Sequence, residues 1–232
     1  MLKTADLFDL GRVPEALRHL LDVEAPWEAL ALLDEFGAGL AAHPDARPAS
    51  AGEARPGAVH PTAVIEGPLV MEEGASIGPY AYLTGPVYLA EGAQVGHAAY
   101  LRGPVVLGPD AHVMHASEVK RSILLGGAKA PHFNYVGDSI VGHDVNLGAG
   151  VKVANFKTFG DEVKVAGRGT GLRKFGAAIG DGVSIGCNAV LSPGTLVGRR
   201  TIIYNGATVR GVIKADTVVK HHPALEEAEL RR

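Results

Sequence analysis

Every sixth residue from Val59 to Leu125 is an aliphatic side chain or Met: Val59, Ile65, Met71, Ile77, Leu83, Leu89, Val95, Leu101, Leu107, Val113, Val119 and Leu125. The same period returns at Ile179, Ile185, Leu191, Val197, Ile203 and Val209. A small or β-branched residue follows most of these four positions later, as at Ala75, Ala81, Val87 and Ala93. Glycine often follows directly, as at Gly78, Gly96 and Gly186. A six-residue period fits neither the turn of an α-helix nor the alternation of a hairpin strand. It fits short strands joined by corners, wound into a parallel β-helix whose repeated residue points into a narrow core. Such a core takes small and aliphatic side chains, and aromatics are only 6% of the chain.

Residues 5–42 escape the period. Leu17, Leu20 and Leu21, then Trp27, Leu30, Leu32, Leu33 and Phe36, recur at three- and four-residue intervals and predict two amphipathic helices. Pro14 stands near the start of the first and Pro26 opens the second, with Gly37 and Gly39 as its expected end. The helices read as a cap over the open edge of the β-helix, because an uncovered edge invites aggregation. The expected organisation is a helical cap and linker over 1–55, the β-helix over 56–220 and a tail over 221–232, with a short exposed helix expected in the tail.

The hexads fail twice, between Leu125 and Val141 and again from Phe156 to about Phe175, where a protruding loop is expected near 156–175. Insertions in repeat proteins map to loops and often carry the binding surface. The first failure contains His132, with Lys129, Asn134 and Tyr135 beside it and Glu118 and Lys120 about one coil earlier. Residues one coil apart stack at the strand spacing of roughly 4.8 Å, so Arg102, Lys120 and the His132 region are expected on one edge of the prism. Cations beside an imidazole suit an anionic substrate with a proton to remove: Arg102 and Lys120 to grip a phosphate, His132 as base, Glu118 to orient it. The competing reading makes these solvated face residues.

A formal charge of −3 and 47% apolar content give no electrostatic reason to expect nucleic acid or membrane as partner. One cysteine, Cys187, excludes an internal disulfide and suits a reducing compartment. With no visible signal segment, a cytoplasmic protein is expected. Of ten histidines, His97, His112, His115, His132 and His143 are the metal candidates, but their spacing matches no zinc site, and no metal is expected.

The hexad [LIV]-G-x-x-[AV]-x resembles that of the hexapeptide-repeat transferases. The block EVK, KAPHFNYVGDSIVGHDVNLGAG, AN and KFGAAIGDGVSIG resembles the acetyltransferase domain of the bifunctional N-acetylglucosamine-1-phosphate uridyltransferase/glucosamine-1-phosphate acetyltransferases. The resemblance spans about 60–210, most specifically 102–188. It implies an all-β, left-handed parallel β-helix (hexapeptide repeats) with a small N-terminal helical cap, assembled as a homotrimer. It implies an acetyl-CoA-dependent acyltransferase acting on an amino-sugar phosphate or sugar nucleotide. By the same resemblance His132 is the general base, Glu118 its carboxylate partner and Asn155 stands at the acetyl transfer point. Arg102, Lys120, Tyr135, Asn146 and Lys174 contact the sugar phosphate, and Ala149, Cys187 and Asn205 line the coenzyme A site. Departures are Phe156 where the family has tyrosine, Cys187 for serine, Asn205 for alanine, a longer 155–174 stretch and a basic tail reduced to a few residues ending in Arg231 and Arg232. No counterpart of the uridyltransferase domain is expected in residues 1–55, which are too short for it and carry no Gly-rich nucleotide loop. The alternative is a non-catalytic trimer, either binding a sugar phosphate or nucleotide sugar or serving as a scaffold.

Overall fold

The computed structural model describes residues 2–43, 47–48, 58–222 and 227–228. Most of the expected linker and tail, including the tail helix with Arg231 and Arg232, lies outside the described residues. The chain winds a parallel β-helix of about nine turns, for which the hexapeptide repeat fits a left-handed coil. Three flat faces stack in parallel register, with a shift between Lys120 and Ser122. The first carries Val64–Glu66, Tyr82–Thr84, Tyr135–Gly137, Lys152–Val153, Val190–Leu191 and Thr208–Val209. The third runs from Ser76–Ile77 through Asn146–Leu147 to Val218–Val219. The second lies between them, from Pro68–Met71 to Val212–Ile213. Tyr100–Leu107 and Glu118–Leu124 run through the corner joining first and second faces. Inward hexad residues such as Leu83, Leu101, Val119, Val153 and Leu191 are fully buried in one continuous core. Each buried Leu or Val contributes roughly 1.5–3 kcal/mol relative to exposure.

Two features differ from the sequence expectation. The first register break is not spread over 126–135, where Leu124, Ala130 and Val136 keep the six-residue step and line the core. It consists of two five-residue steps, Val119 to Leu124 and Val136 to Val141. Arg121 and Asp138 occupy the shortened corners with left-handed φ values of 43° and 47°. Dropping a residue turns Leu124 inward and Leu125 outward, so Leu125 belongs to a second apolar cluster.

That second cluster is where the N-terminal helices sit. They cover the outer side of the second face, burying Val70, Tyr88, Val106, Ile123, Ile140, Ala178 and Leu196, instead of closing the open end. The physical reason is that second-face strands are apolar on both sides, so their outer side needs a cover. The open edge is met by Arg47–Pro48, which pairs antiparallel with Pro68–Met71. The helices are α1 (Thr4–Leu7), α2 (Glu15–Arg18) and α3 (Ala29–Leu40), the last entered through a 3₁₀ turn beginning at Pro26. Gly37 and Gly39 lie inside α3 and do not end it. A Cβ on Gly37 would stand 2.7 Å from Pro104 Cβ and 2.9 Å from Pro86 Cγ, so glycine lets α3 press against two proline corners.

After Asn155 the coil is interrupted by an excursion that returns at Phe175, whose N–H donates to Asn155 O. Lys164–Val165 and Arg168–Gly169 form its hairpin. Ala166 and Gly167 turn it with φ of 47° and 85°, the sign pattern of a type I′ turn. Val163, Val165 and Phe175 bury into the helical cluster, with Phe175 against Trp27 at 6.2 Å between ring centres. Helices and excursion therefore share one core.

Candidate active site

The first face and its corner with the second face gather most of the sequence-nominated polar residues. Arg102 and Lys120 are register neighbours in adjacent coils, and Glu118 pairs with Tyr100 below and Tyr135 above. Arg102 donates to Glu118 Oε1 at 2.8 Å, and this bond is the main reason its pKa is raised. Lys120 Nζ donates to both Asp138 oxygens, at 3.2 and 2.9 Å. Asn155, 8% exposed, donates through Nδ2 to Asp138 Oδ2. Above Gly137 the chain is crowded: a Cβ there would meet Asn155 Nδ2 at 2.6 Å and the Tyr135 hydroxyl at 2.7 Å. Burial raises the Tyr135 pKa, reinforced by the charges of Glu118 and Asp138 and opposed by an Asn155 hydrogen bond and Arg102. Tyr135 is thus a neutral hydroxyl in the physiological range.

Lys174 reaches this corner through the neck of the excursion. Phe156 and Lys174 face each other as an antiparallel bridge, and the Lys174 ammonium lies 5.9 Å from the Phe156 ring centre. A cleft of about 610 Å³ opens here, lined by Lys120, Arg121, Asp138, Phe156, Leu172, Arg173 and Lys174. Four cations around one carboxylate favour an anionic ligand such as a phosphate.

A second group occupies the corner between third and first faces. Amide hydrogen bonds climb this corner coil by coil: Gly150 N to His132 O, Asn188 N to Ala149 O, Gly206 N to Cys187 O. His132, Ala149, Cys187 and Asn205 therefore form one column, with the His132 N–H bound to Asn134 Oδ1 at 3.0 Å and its ring exposed. Asn146 lies just before this corner on the third face, exposed and level with Lys129 and Ser184. Below His132 the column continues with His115 and His97, whose rings are 5.4 Å apart.

The expected convergence of Arg102, Lys120 and His132 on one edge does not occur within a single chain. His132 is at the entry to the first face, and Lys120 is near its exit, with the strand between them. Glu118 is engaged by Arg102. Among the described residues no group of three or more His, Cys, Asp or Glu is arranged to hold a metal. Sequence reasoning missed Arg121 and Asp138. The two five-residue steps that bracket them were the available signal.

Residues 83–170 match the GMPPB C-terminal domain family, and residues 176–211 match the bacterial transferase hexapeptide (six repeats). A bifunctional sugar-1-phosphate nucleotidylyltransferase/acetyltransferase of Sulfurisphaera tokodaii is 46% identical over 87 residues, 36% of this chain and 22% of the relative. The bifunctional protein GlmU of Methanococcus vannielii is 40% identical over 94 residues, 39% of this chain and 23% of the relative. The chain thus matches less than a quarter of the length of these curated relatives. Among solved structures, the UDP-N-acetylglucosamine acyltransferase from Campylobacter jejuni aligns over 69% of this chain and 68% of its own at 14% identity and a TM-score of 0.35, too distant to carry an argument. The matches over both halves of the coil and the observed register agree: the chain is a hexapeptide-repeat β-helix protein, homologous over part of its length to the sugar-1-phosphate nucleotidylyltransferase/acetyltransferases.

Proposed function

We propose that the protein is an acetyl-CoA-dependent N-acyltransferase for an amino-sugar phosphate or related sugar nucleotide, working as a homotrimer. The observation that carries this reading is the split of the site into two strips on one prism. The acceptor strip holds Arg102, Lys120, Tyr135, Asn155 and Lys174. The donor strip holds Ala149, Cys187 and Asn205, with the base His132 and the sugar-contacting Asn146 alongside. Copies packed side by side bring the acceptor strip of one against the donor strip of the next. The phosphate takes Arg102, Lys120 and Lys174, and its arrival at Arg102 releases Glu118 to face an imidazole. His132 accepts a proton from the attacking amine, the amine nitrogen bonds to the thioester carbonyl carbon, and the carbon–sulfur bond breaks. The proton passes from the imidazolium to the departing thiolate. Asn155 is placed to donate to the carbonyl oxygen as it gains charge. The exposed corner column suits the extended pantetheine arm, because Ala149 and Cys187 leave a shallow strip.

The test is thiol release from acetyl-CoA in the presence of glucosamine 1-phosphate. The exposed Cys187 adds one stoichiometric equivalent at time zero. His132→Ala is expected to lower turnover roughly 10²- to 10⁴-fold. No thiol release with any amino-sugar phosphate overturns the reading. Sugar-phosphate binding in calorimetry without acetyl-CoA binding favours the second reading, a non-catalytic binding trimer. Phe156, which offers no hydroxyl beside Asn155, is the observation on that side.

A further inference from the structure

The first-to-second corner contains a buried carboxylate that takes no direct part in the proposed acyl transfer. Asp138 is 1% exposed, yet it receives Lys120 Nζ, Arg121 Nη1 at 3.3 Å and Asn155 Nδ2. Two donors from the coil below, Lys120 and Arg121, and one from the coil above, Asn155, therefore meet on one side chain, and two of them, Lys120 and Asn155, are acceptor-strip residues. Arg121 then leaves the coil. Its Nε and Nη2 grip Asp34 of α3 at 2.9 and 2.5 Å, and Nη2 also reaches Leu30 O at 3.3 Å. The chain of contacts runs Asp34, Arg121, Asp138, then Lys120 and Asn155. The helical layer is thereby wired to the cleft by charge as well as by apolar packing.

We propose that Asp138 is the positioning residue of the acceptor strip, and that Asp34 on the helical layer fixes it through Arg121. This rests on the acyltransferase reading for its kinetic consequence, but not for its structural one. A long lysine side chain has many rotamers, and two hydrogen bonds to a buried, immobile acceptor select one of them. Asn155 has a single amide to aim, and giving one of its two N–H donors to Asp138 Oδ2 fixes the direction of the other. The shortened corner makes the arrangement possible, because the left-handed φ of Asp138 sets its carboxylate level with the coils above and below. Asparagine keeps the size of the side chain, removes its charge and suits that backbone better than most residues, so Asp138→Asn is the informative change.

Two measurements on the full chain decide the proposal. In the first, lysines are reductively methylated under limiting reagent and Lys120 is followed by peptide mass spectrometry. Asp138→Asn and Asp34→Asn are expected to speed Lys120 labelling several-fold, and Asp34→Glu to restore protection. Equal Lys120 labelling in wild type and both asparagine variants overturns the proposal, whatever the protein catalyses. In the second, acetyl transfer to glucosamine 1-phosphate is resolved into kcat and KM. Misplacing acceptor groups by an ångström costs on the order of 10²-fold, so Asp138→Asn is expected to approach that loss in kcat/KM, mostly in kcat. Asp34→Asn is expected to lose less, with an unchanged melting temperature and recovery in Asp34→Glu. A kcat/KM loss in Asp34→Asn that tracks melting temperature, or that Asp34→Glu fails to recover, also overturns it. If Asp138→Asn does not fold, the half-exposed Asp34 pair decides alone. A wild-type chain that binds and acetylates nothing removes the functional reading but leaves the labelling result standing.

Discussion

Replacing Gly186 with alanine tests how closely the coils are stacked. A Cβ at this corner would stand 2.4 Å from Asn205 N, 2.8 Å from Asn205 Cα and 2.8 Å from Tyr204 C. All three contacts are backbone, so no rotamer change relieves them. The next coil is held in place by Gly186 N to Ile203 O at 2.7 Å and Gly206 N to Cys187 O at 2.8 Å. Reaching an ordinary separation of about 3.4 Å requires the coils to part by about 1 Å, which stretches both bonds beyond useful length. Overpacking costs about 1–3 kcal/mol, and the two weakened hydrogen bonds together add about 1 kcal/mol, giving a loss of about 2–4 kcal/mol. For a chain of this size that lowers the melting temperature by roughly 4–16 °C in calorimetry. Gly39→Ala is the control with the opposite sign. Gly39 lies in α3 with nothing within 4 Å of its added Cβ, so alanine is expected to stabilise by about 0.5–1 kcal/mol. If Gly186→Ala melts with the wild type, the rungs are not in backbone contact and the stacking argument fails.

Two further outcomes follow from burial. His143 is 1% exposed and its Nε2 has no hydrogen-bond partner. Burial lowers its pKa, aided by Arg12 and opposed by Asp181, Asp144 and the Gly126 backbone. Above pH 6.5 neither folded nor unfolded imidazole is charged; as pH falls below 6.5 the unfolded chain takes up a proton that the folded chain refuses. Stability is therefore expected to fall below pH 6.5 by up to about 1.4 kcal/mol per unit from this group, and His143→Leu to flatten that slope in urea titrations at pH 7, 6 and 5. Parallel slopes would refute it. Trp27→Ala is expected to cost about 3–5 kcal/mol and to expose the excursion to limited proteolysis between 156 and 175, because Trp27 holds Phe175. Cleavage unchanged in rate and position would show that the excursion stands without the helices.

The inward positions from Val59 to Val119 were legible because each coil repeats the same three inward steps, and nothing interrupts them. The slip at Arg121 was not, since Leu124 and Leu125 are both apolar and only packing decides which one faces in. The side-on helices were half legible. Doublets such as Leu69-Val70, Val105-Val106 and Ile123-Leu124 mark strands buried on both sides, a signal that a six-residue count of single positions passes over. For the candidate site, coil arithmetic stacks Arg102 under Lys120, as the register has it. It could not separate the two strips, because the width of the first face lies between His132 and Lys120 and sequence offset carries no angle. Asp138 was hidden for a related reason: a Gly-Asp pair reads as a plain turn until the coils that meet there are known.

The neck of the excursion has an evolutionary corollary. Lys152 and Val153 stack directly beneath Val190 and Leu191, although 38 residues separate the two rungs. The coil closes as though the inserted stretch were not there, since its departure and return share one bridge at Phe156 and Lys174. Such a junction is a socket. Segments of different length can be exchanged at that point while the rungs on either side keep their register, so a new lip for the cleft can be fitted without rebuilding the prism beneath it.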